Sequence, residues 1–237
     1  MMQSHRRYLI LLVLVSICGV QAYAQMEYAT WVFGSGAHIS FLAKDKPVYI
    51  EHPRKLINIP TMEASEGVAV YSHPCTGELM MYSDGRNVFN ETGFVIDGGS
   101  NLIGGESSTQ GALFITDPDD PDIVWLVVAP DLTGEQNAGR PHAYGGYKIL
   151  IEGPGQYRVI EREIPMTNPD RPYLMQADSG TEKLTATHLE NQLDVWVAML
   201  VTQGATSRII FRLLTKDGFA PTAIEYELGW RVGPAGA

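Results

Sequence analysis

The stretch GELMMYSDGRNVFN, Gly77 to Asn90, decides the fold because it joins two short apolar runs through a turn. The run Leu79 to Tyr82 is apolar at every position, whereas a strand with one solvated face would alternate. It therefore indicates a strand that is buried on both faces. The dipeptide Asp84-Gly85 follows, and it favours a two-residue hairpin turn because both central positions need positive φ. We expect a central strand, a sharp reversal and an outer strand.

The same pattern occurs three times along the chain, in Gly67–Ile96, Gly111–Glu161 and Lys183–Ile224. Each copy has an inner strand, a polar turn, a strongly apolar second strand, a third strand, a glycine-containing turn and a short fourth strand. Near the N-terminus, the segments Thr30–Phe33, 38–42 and 48–51 match strands two to four of this unit. Radially repeated four-stranded sheets are typical of a β-propeller. The sequence therefore predicts an all-β fold.

We interpret residues 25–229 as β-propeller blades of four antiparallel strands and residues 230–237 as an irregular tail. About 3.75 blades are present, because the segment from Gly229 onward is too rich in small residues to supply the missing inner strand. The chain is then a partial, truncated propeller, and a complete four-bladed propeller is the alternative. A partial propeller leaves two open flanks, so we expect self-association through its open blade edges.

Residues 1–24 have the pattern of a secretory signal peptide. Arg6 and Arg7 precede an apolar run, and Ala22-Tyr23-Ala24 supplies the small residues of a cleavage site. The run is too short to span a bilayer, which takes about 20 apolar residues. Lipidation at Cys18 is an alternative, although Ile17 is bulky for such a signal. We expect an exported protein that is periplasmic, extracellular or on the cell surface.

Charge and cysteine content exclude several classes of function. The net charge of −10 becomes −12 when Arg6 and Arg7 leave with the signal, which argues against nucleic acid and anionic membranes as partners. Only Cys75 then remains, so neither an intramolecular disulfide nor a metal site built on paired cysteines can form. We expect no membrane insertion, and a turn thiol rather than a nucleophile at Cys75.

Several segments occur in the order found in a family of propeller modules from exported proteins of gliding, type IX-secreting bacteria. Trp31–Gly34 resembles the Trp-x-Phe-Gly opening of those modules, and Gly77 to Asn90 resembles their G-x-L-L-F-Y-T-D-G-x-x-V-W-N segment. Ser107–Gln110, Glu182–His188 and Asp194–Val197 resemble the next conserved segments. The resemblance implies a propeller with further blades, often followed by PKD and C-terminal sorting domains that this sequence does not contain. It implies no catalytic residue.

The longer connections, 58–66, 97–109, 129–146 and 163–180, are all expected on one face of the disc. Loops on a rigid scaffold commonly carry function. Alignment of the inner strands predicts a polar rim at the mouth of the central channel, made of Glu66, Thr109, Gln110, Glu182 and Lys183. These groups either bind a ligand or hydrogen-bond to the backbone between blades.

The acidic segment between the first two strands of the second repeat has spacing that could suit calcium. Its carboxylates are Asp117, Asp119, Asp120 and Asp122. It lacks the glycine and the distal glutamate of an EF-hand loop. We therefore expect a solvated turn braced by prolines, and no cofactor or metal.

Two functions from different classes fit this sequence. The first is a non-catalytic binding or structural module that contacts protein or glycan through its loop face. The second is a glycan-acting enzyme with catalytic residues at the channel mouth. We favour the first because the predicted rim contains scattered acids and no preorganised constellation. The fold itself does not discriminate, since propellers host both classes.

Export predicts that the mature protein begins at Gln25. N-terminal sequencing of secreted material tests this, because cleavage after Ala24 leaves that residue free. A mature product that retains Met1, or one that carries lipid on Cys18, contradicts the prediction.

Overall fold

The computed structural model describes residues 29–34, 37–43, 46–50, 62, 67–105, 110–130, 143–167, 178–191, 193–203 and 205–232. Within these ranges the chain forms strands, turns and irregular segments but no helix. The predicted signal peptide lies outside the described residues, as does the end of the tail from residue 233. The all-β prediction is confirmed.

The strands form four antiparallel sheets that follow one another along the chain. Sheet 1 contains β1 (Thr30–Phe33), β2 (Ala37–Ser40) and β3 (Val48–Ile50). Sheet 2 contains β4 (Ala69–Ser72), β5 (Leu79–Ser83) and β6 (Val88–Asn90). Sheet 3 contains β7 (Ala112–Thr116), β8 (Ile123–Val128), β9 (Gly145–Gly153) and β10 (Gln156–Pro165). Sheet 4 contains β11 (Asp178–His188), β12 (Val195–Gln203), β13 (Thr206–Thr215), β14 (Gly218–Phe219) and β15 (Ile224–Glu227).

Each sheet pairs its strands in sequence order, and none closes on itself in the described residues. In sheet 4, β14 and β15 both pair with β13, at opposite halves of that long strand. Short connections favour this meander arrangement, because consecutive antiparallel strands pair through hairpins. Each of the three repeats identified in the sequence therefore contributes one sheet, and residues 30–50 contribute another.

The second strand of sheet 2 is buried on both faces, as its apolar run predicts. Met81 belongs to the core between sheets 2 and 3, together with Val88. Tyr82 points to the opposite side, where it stacks on Phe89 with ring centroids 5.1 Å apart, against Val32 of sheet 1. Adjacent residues of β5 thus pack against two different sheets, one on each side.

The second strand of sheet 3 repeats this arrangement more completely. All six residues of β8 are buried. Val124, Leu126 and Val128 belong to the core shared with sheet 2. Ile123, Trp125 and Val127 belong to the core shared with sheet 4, which contributes the apolar residues of β12 and β13.

The second strand of sheet 4 is buried on only one face. Val195, Val197, Met199 and Val201 pack toward sheet 3, whereas the residues between them are partly exposed. We expected Trp125 and Trp196 both to be buried between sheets. The expectation is confirmed for Trp125, but Trp196 is only partly buried because no described sheet covers the far side of sheet 4.

The turn after β5 differs from the sequence prediction. β5 and β6 pair through Ser83 and Val88, so the turn has four residues instead of two. Gly85 has φ of +86°, but Asp84 does not have positive φ. The Asp84 side chain is buried instead, and its Oδ1 accepts hydrogen bonds from the backbone N–H groups of Arg86 at 2.9 Å and Asn87 at 2.7 Å. Such an Asx turn replaces the type I′ reversal.

The Asp84 turn also fixes the connection to the next sheet. The carbonyl of Gly85 accepts a 3.1 Å hydrogen bond from the N–H of Gly104. A Cβ atom on Gly104 would lie 2.5 Å from that carbonyl oxygen and 2.6 Å from a methyl carbon of Val128. Only glycine fits this approach, so the link between sheets 2 and 3 is packed tightly onto the turn.

The polar turns between the first and second strands of sheets 2, 3 and 4 share one hydrogen-bonding pattern. A side-chain atom of an early residue accepts from the backbone N–H groups two and three residues later. The acceptors are His73 Nδ1, Asp117 Oδ1 and Asn191 Oδ1. These turns are therefore built alike although their sequences differ.

Two strand predictions need correction. The fourth strand of the first repeat is reduced to a single bridge between Phe89 and Val95. The segment Thr30–Phe33, expected as a second strand, occupies the innermost described position of sheet 1, because β1 contacts β4, the first strand of sheet 2. The glycine turns after the third strands are confirmed, with positive φ at Gly93, Gly155 and Gly218.

Trp125→Ala should lower the free energy of unfolding by about 3–5 kcal/mol. The Trp125 ring packs edge-on against Phe219 of sheet 4 at 5.0 Å, and its Nε1–H donates to Asp117 Oδ2 at 2.7 Å. Trp196→Ala, on the partly exposed face, should cost clearly less. Urea denaturation of both variants measures this, and equal losses would contradict the burial difference.

Asp84→Asn should stabilise the protein at neutral pH. Burial raises the pKa of the Asp84 carboxyl above its usual value, although the N–H donors of Asn87 and Arg86 oppose this. The folded state therefore binds a proton that the unfolded state has lost, so stability falls as pH rises above about 4. Asparagine keeps the Oδ1 acceptor without the charge.

Denaturation of wild type and Asp84→Asn at pH 7 and near pH 3 measures the effect. The advantage of the variant should be largest at pH 7 and should disappear at low pH, where the aspartic acid is neutral. Asp217→Asn serves as the control, because the Asp217 side chain is 80% exposed and should show no such pH dependence. A variant that is less stable at pH 7 would contradict the assignment.

Candidate functional site

The innermost described strands of all four sheets line one cavity. β1, β4 and β7 line it along most of their length, and the C-terminal end of β11 completes the wall. The cavity has a volume of about 520 Å³, which falls within the range of small-molecule sites. Strands from four separate segments of sequence thus converge on a single space.

The cavity wall is mainly apolar, with a few polar groups. Val68, Val70, Leu113 and Ile115 supply apolar surface, while hydroxyl groups come from threonines and from Tyr71. The lining residues are Thr30, Trp31, Val32, Phe33, Val68, Ala69, Val70, Tyr71, Ala112, Leu113, Phe114, Ile115, Thr116, Ala186, Thr187, His188 and Val195. A site of this kind orients a ligand through few polar contacts.

The polar lining groups differ in burial and in hydrogen bonding. Thr30 is buried and its hydroxyl donates to the carbonyl of Gly77 at 3.4 Å. Thr187 and His188 are exposed at the end of β11, where the strand leaves the cavity. His188 supplies the one imidazole among the lining residues of the described chain, and no lining residue there is a carboxylate. Two carboxylates are what glycoside hydrolysis ordinarily requires.

The predicted rim is only partly within the described chain. Glu66 and Thr109 lie outside the described residues. Gln110 and Lys183 are exposed, whereas Glu182 is 3% exposed. None of these three lines the cavity. Glu182 and Lys183 lie instead in an irregularity of β11, and that irregularity explains the burial of Glu182.

A bulge in β11 positions the predicted rim residues. Gly180 pairs with Val201 and Leu184 pairs with Met199, so three residues of β11 oppose one residue of β12. Bulges of this type redirect side chains and interrupt pairing. The Thr181 hydroxyl bridges the gap, since it donates to the Leu200 carbonyl at 3.0 Å.

The phenol of Tyr144 holds this bulge from the side of sheet 3. Its hydroxyl lies within hydrogen-bonding distance of the carbonyls of Thr181, Lys183 at 3.0 Å and Leu200 at 3.1 Å. Tyr144 is buried, and burial raises the pKa of its phenol well above the usual range. The group therefore stays neutral and can donate its one hydrogen to a backbone carbonyl of the bulge.

The link between sheets 2 and 3 is fixed from the outer strand of sheet 3. The Arg162 guanidinium donates to the carbonyls of Gly98, Ser100 and Asn101. The same guanidinium lies 5.8 Å from the ring centroid of Tyr147. These contacts hold residues 98–101 of the predicted loop face against the outer strand of sheet 3.

The acidic turn uses its carboxylates to hold backbone. Asp117 Oδ1 accepts from the N–H groups of Asp119 and Asp120, and Asp117 Oδ2 accepts from the Trp125 indole. Asp120 Oδ1 accepts from the N–H of Asp122 at 3.0 Å. No group of three metal-ligating side chains occurs in the described part of the chain. The first residue of the candidate calcium set thus has a structural role as an anchor for the core tryptophan.

Comparison of the chain with protein-family models, with curated proteins and with solved structures finds no match. Among the described residues no helix is long and apolar enough to cross a membrane.

The cavity residues were not identified from the sequence. Sequence comparison of the repeats aligned the starts of the inner strands, whereas the cavity is lined by the bodies and the far ends of those strands. One signal for the cavity was available in the sequence, because Thr116 and His188 occupy equivalent positions at the ends of two inner strands.

Tyr144→Phe should lower the free energy of unfolding by about 1–3 kcal/mol, because it removes a buried hydroxyl that donates to a carbonyl of the bulge. Tyr226→Phe removes a hydroxyl from a side chain that is 60% exposed and should be close to neutral. Thermal and urea denaturation of both variants measures the difference. A Tyr144→Phe variant as stable as wild type would show that the hydroxyl does not hold the bulge.

Proposed function

We propose that the protein is an exported β-propeller that acts as a non-catalytic binding or structural module. It contacts protein or glycan through the face that carries the long inter-sheet connections. The observation that carries this proposal is the convergence of the first strands of four successive sheets on one cavity. A radial series of sheets presents its connections as a broad surface, and such surfaces recognise large partners.

The succession of sheets supports the propeller. Sheets 1 to 4 occur in chain order, and their neighbouring inner strands contact one another: β1 contacts β4, β4 contacts β7, and β7 contacts β11. Facing sheets share apolar cores that are built from alternate residues of the central strands. A flat stack of sheets would not bring all the first strands around one space.

The chemistry of the cavity favours binding over catalysis. Its described lining offers hydroxyls, aromatic rings and one imidazole, without a nucleophile–base pair or two facing carboxylates. The loop face adds the exposed side chains of Gln110 and Lys183. These groups can donate hydrogen bonds to the oxygen atoms of a sugar or a peptide.

Export is supported by the N-terminal sequence. The basic residues, the apolar run and the small residues before Gln25 form a signal peptide pattern. The acidic net charge suits a partner that is neutral or basic, and it disfavours nucleic acid. The resemblance to propeller modules of gliding bacteria points to the same class of exported surface proteins.

A cell-surface binding assay tests the proposal. Labelled mature protein should bind saturably to cells of the kind that export it. Protease treatment of those cells should abolish binding to a protein partner, and periodate oxidation should abolish binding to a glycan. Saturable binding without release of reducing sugar is the expected result. Hydrolysis of a surface glycan, or no saturable binding, would contradict the proposal.

Two matched variants localise the binding face. Lys183→Glu reverses an exposed charge on the strand that begins at the long connections, and it should weaken binding. Lys216→Glu reverses an exposed charge in a short turn at the other ends of the strands, and it should not. Equal effects of the two variants would show that binding depends on overall charge.

A further inference from the structure

The first and last sheets each present an uncovered apolar face. In sheet 1, Trp31 pairs with Ile39 and Ile39 pairs with Tyr49, so these side chains share the face opposite to Val32. Trp31 is 53% exposed and Tyr49 is 61% exposed, whereas Val32 is packed against sheet 2. We call this surface the leading face. Phe33 and Phe41 extend it, and both contact Trp31 edge-on.

The uncovered face of sheet 4 has the same character. Trp196 pairs with Leu213, Ala198 with Phe211, and Leu200 with Ile209, all on the side away from sheet 3. Ile224 and Tyr226 continue the face across β15. Phe211 contacts both Trp196 and Tyr226 edge-on. We call this surface the trailing face.

Among the paired residues that the structure describes on these two faces none is charged, although 19% of the chain is charged. The residues of the leading face are Trp31, Phe33, Ala37, Ile39, Phe41 and Tyr49. Those of the trailing face are Thr185, Thr187, Trp196, Ala198, Leu200, Thr202, Ser207, Ile209, Phe211, Leu213, Ile224 and Tyr226, of which Thr202 and Ser207 are buried. A solvated sheet face would alternate polar residues with the buried ones. These faces therefore have the composition of surfaces that another sheet covers.

The contacts within the chain define what fits each face. Every sheet has a leading side, which faces the sheet before it in the chain, and a trailing side, which faces the sheet after it. The trailing side of sheet 1 packs on the leading side of sheet 2, and the same order holds from sheet 2 to 3 and from sheet 3 to 4. The surface that fits the trailing face of sheet 4 is therefore a leading face like that of sheet 1. Within one chain the two faces do not cover each other, because Trp31 and Tyr226 both remain more than half exposed.

We propose that two copies of this chain pair head to tail, so that the trailing face of each covers the leading face of the other. This goes beyond the proposed binding role and rests on the radial arrangement given with it. A second copy carries both complementary faces. Four sheets from each copy give eight, which is within the number of sheets that closed radial rings contain. A two-fold ring uses both faces of both copies and leaves no free face.

The area available is sufficient for a stable dimer. Six large side chains at each contact are about half exposed: Trp31, Phe33, Phe41, Tyr49, Ile224 and Tyr226. A large aromatic side chain buries about 150–250 Å² in full, so each contact would bury on the order of 600 Å² and the two together about 1,200 Å² from these side chains alone. Specific interfaces begin at about this size.

Sedimentation equilibrium of the mature chain, residues 25–237, tests the pairing. The expected mass is that of a dimer, and it should persist at high salt because the contact is apolar and salt screens only the charges. Tyr49→Asp on the leading face and Tyr226→Asp on the trailing face should each weaken association by roughly tenfold or more. Ile160→Asp, at a position 43% exposed in an outer strand of sheet 3, is the matched control and should remain dimeric.

Mixing the two variants distinguishes the head-to-tail ring from other pairings. The intact trailing face of Tyr49→Asp can cover the intact leading face of Tyr226→Asp, so the mixed variants should associate more tightly than either variant does alone. Circular dichroism confirms that each variant is folded. A monomer at all concentrations, a mass that grows without limit, or a dimer that either single variant leaves intact would overturn the proposal.

Discussion

The burial of β5 and β8 on both faces is the constraint on which the rest of the structure depends. A strand such as β8 has no solvated side, so it requires a neighbouring sheet on its left and another on its right. Val124 and Leu126 pack against sheet 2, while Trp125 and Val127 pack against sheet 4. Because each sheet has few strands, one central strand packs against both neighbouring sheets, and the sheets form a series along the chain.

This constraint explains the positions of the anchoring hydrogen bonds. The indole of Trp125 is fixed by Asp117, the phenol of Tyr144 by the β11 bulge, and the phenol of Tyr147 by the N–H of Ile103 at 3.1 Å. Each is a large side chain with a polar atom, placed where two sheets meet. Such groups pack only if the polar atom finds a partner, so they fix both the spacing of the sheets and the course of the connections between them.

The sequence predicted the sheets well because apolar runs and glycine turns are local signals. Leu79 to Tyr82 and Ile123 to Val128 identified the central strands, and the glycines after the third strands were assigned correctly. The Asp84-Gly85 turn was not, because the choice between a two-residue and a four-residue turn depended on the buried carboxylate and on the approach of Gly104, a residue 19 positions later. The burial of Glu182 also escaped prediction, since the bulge in β11 depends on a phenol from another sheet.

The same constraint connects the cavity to the free faces. First strands line the cavity because second strands hold the sheets face to face, and no described sheet covers the outer side of sheet 1 or of sheet 4. The partly exposed Trp196 and the buried Trp125 differ for this reason alone. Binding is proposed at the cavity and the loop face, where polar groups are available, and association at the end faces, which are mainly apolar and carry no charged side chain among their described residues.

Native-state hydrogen exchange measures the central constraint most directly. If strands buried on both faces hold the sheets together, the backbone amides of β5 and β8 should exchange only through global unfolding, with the free energy that denaturation gives. The amides of β3 and β15, at the outer edges of the end sheets, should exchange through smaller openings. Rapid exchange in β8 while β3 and β15 remain protected would contradict this account of the fold.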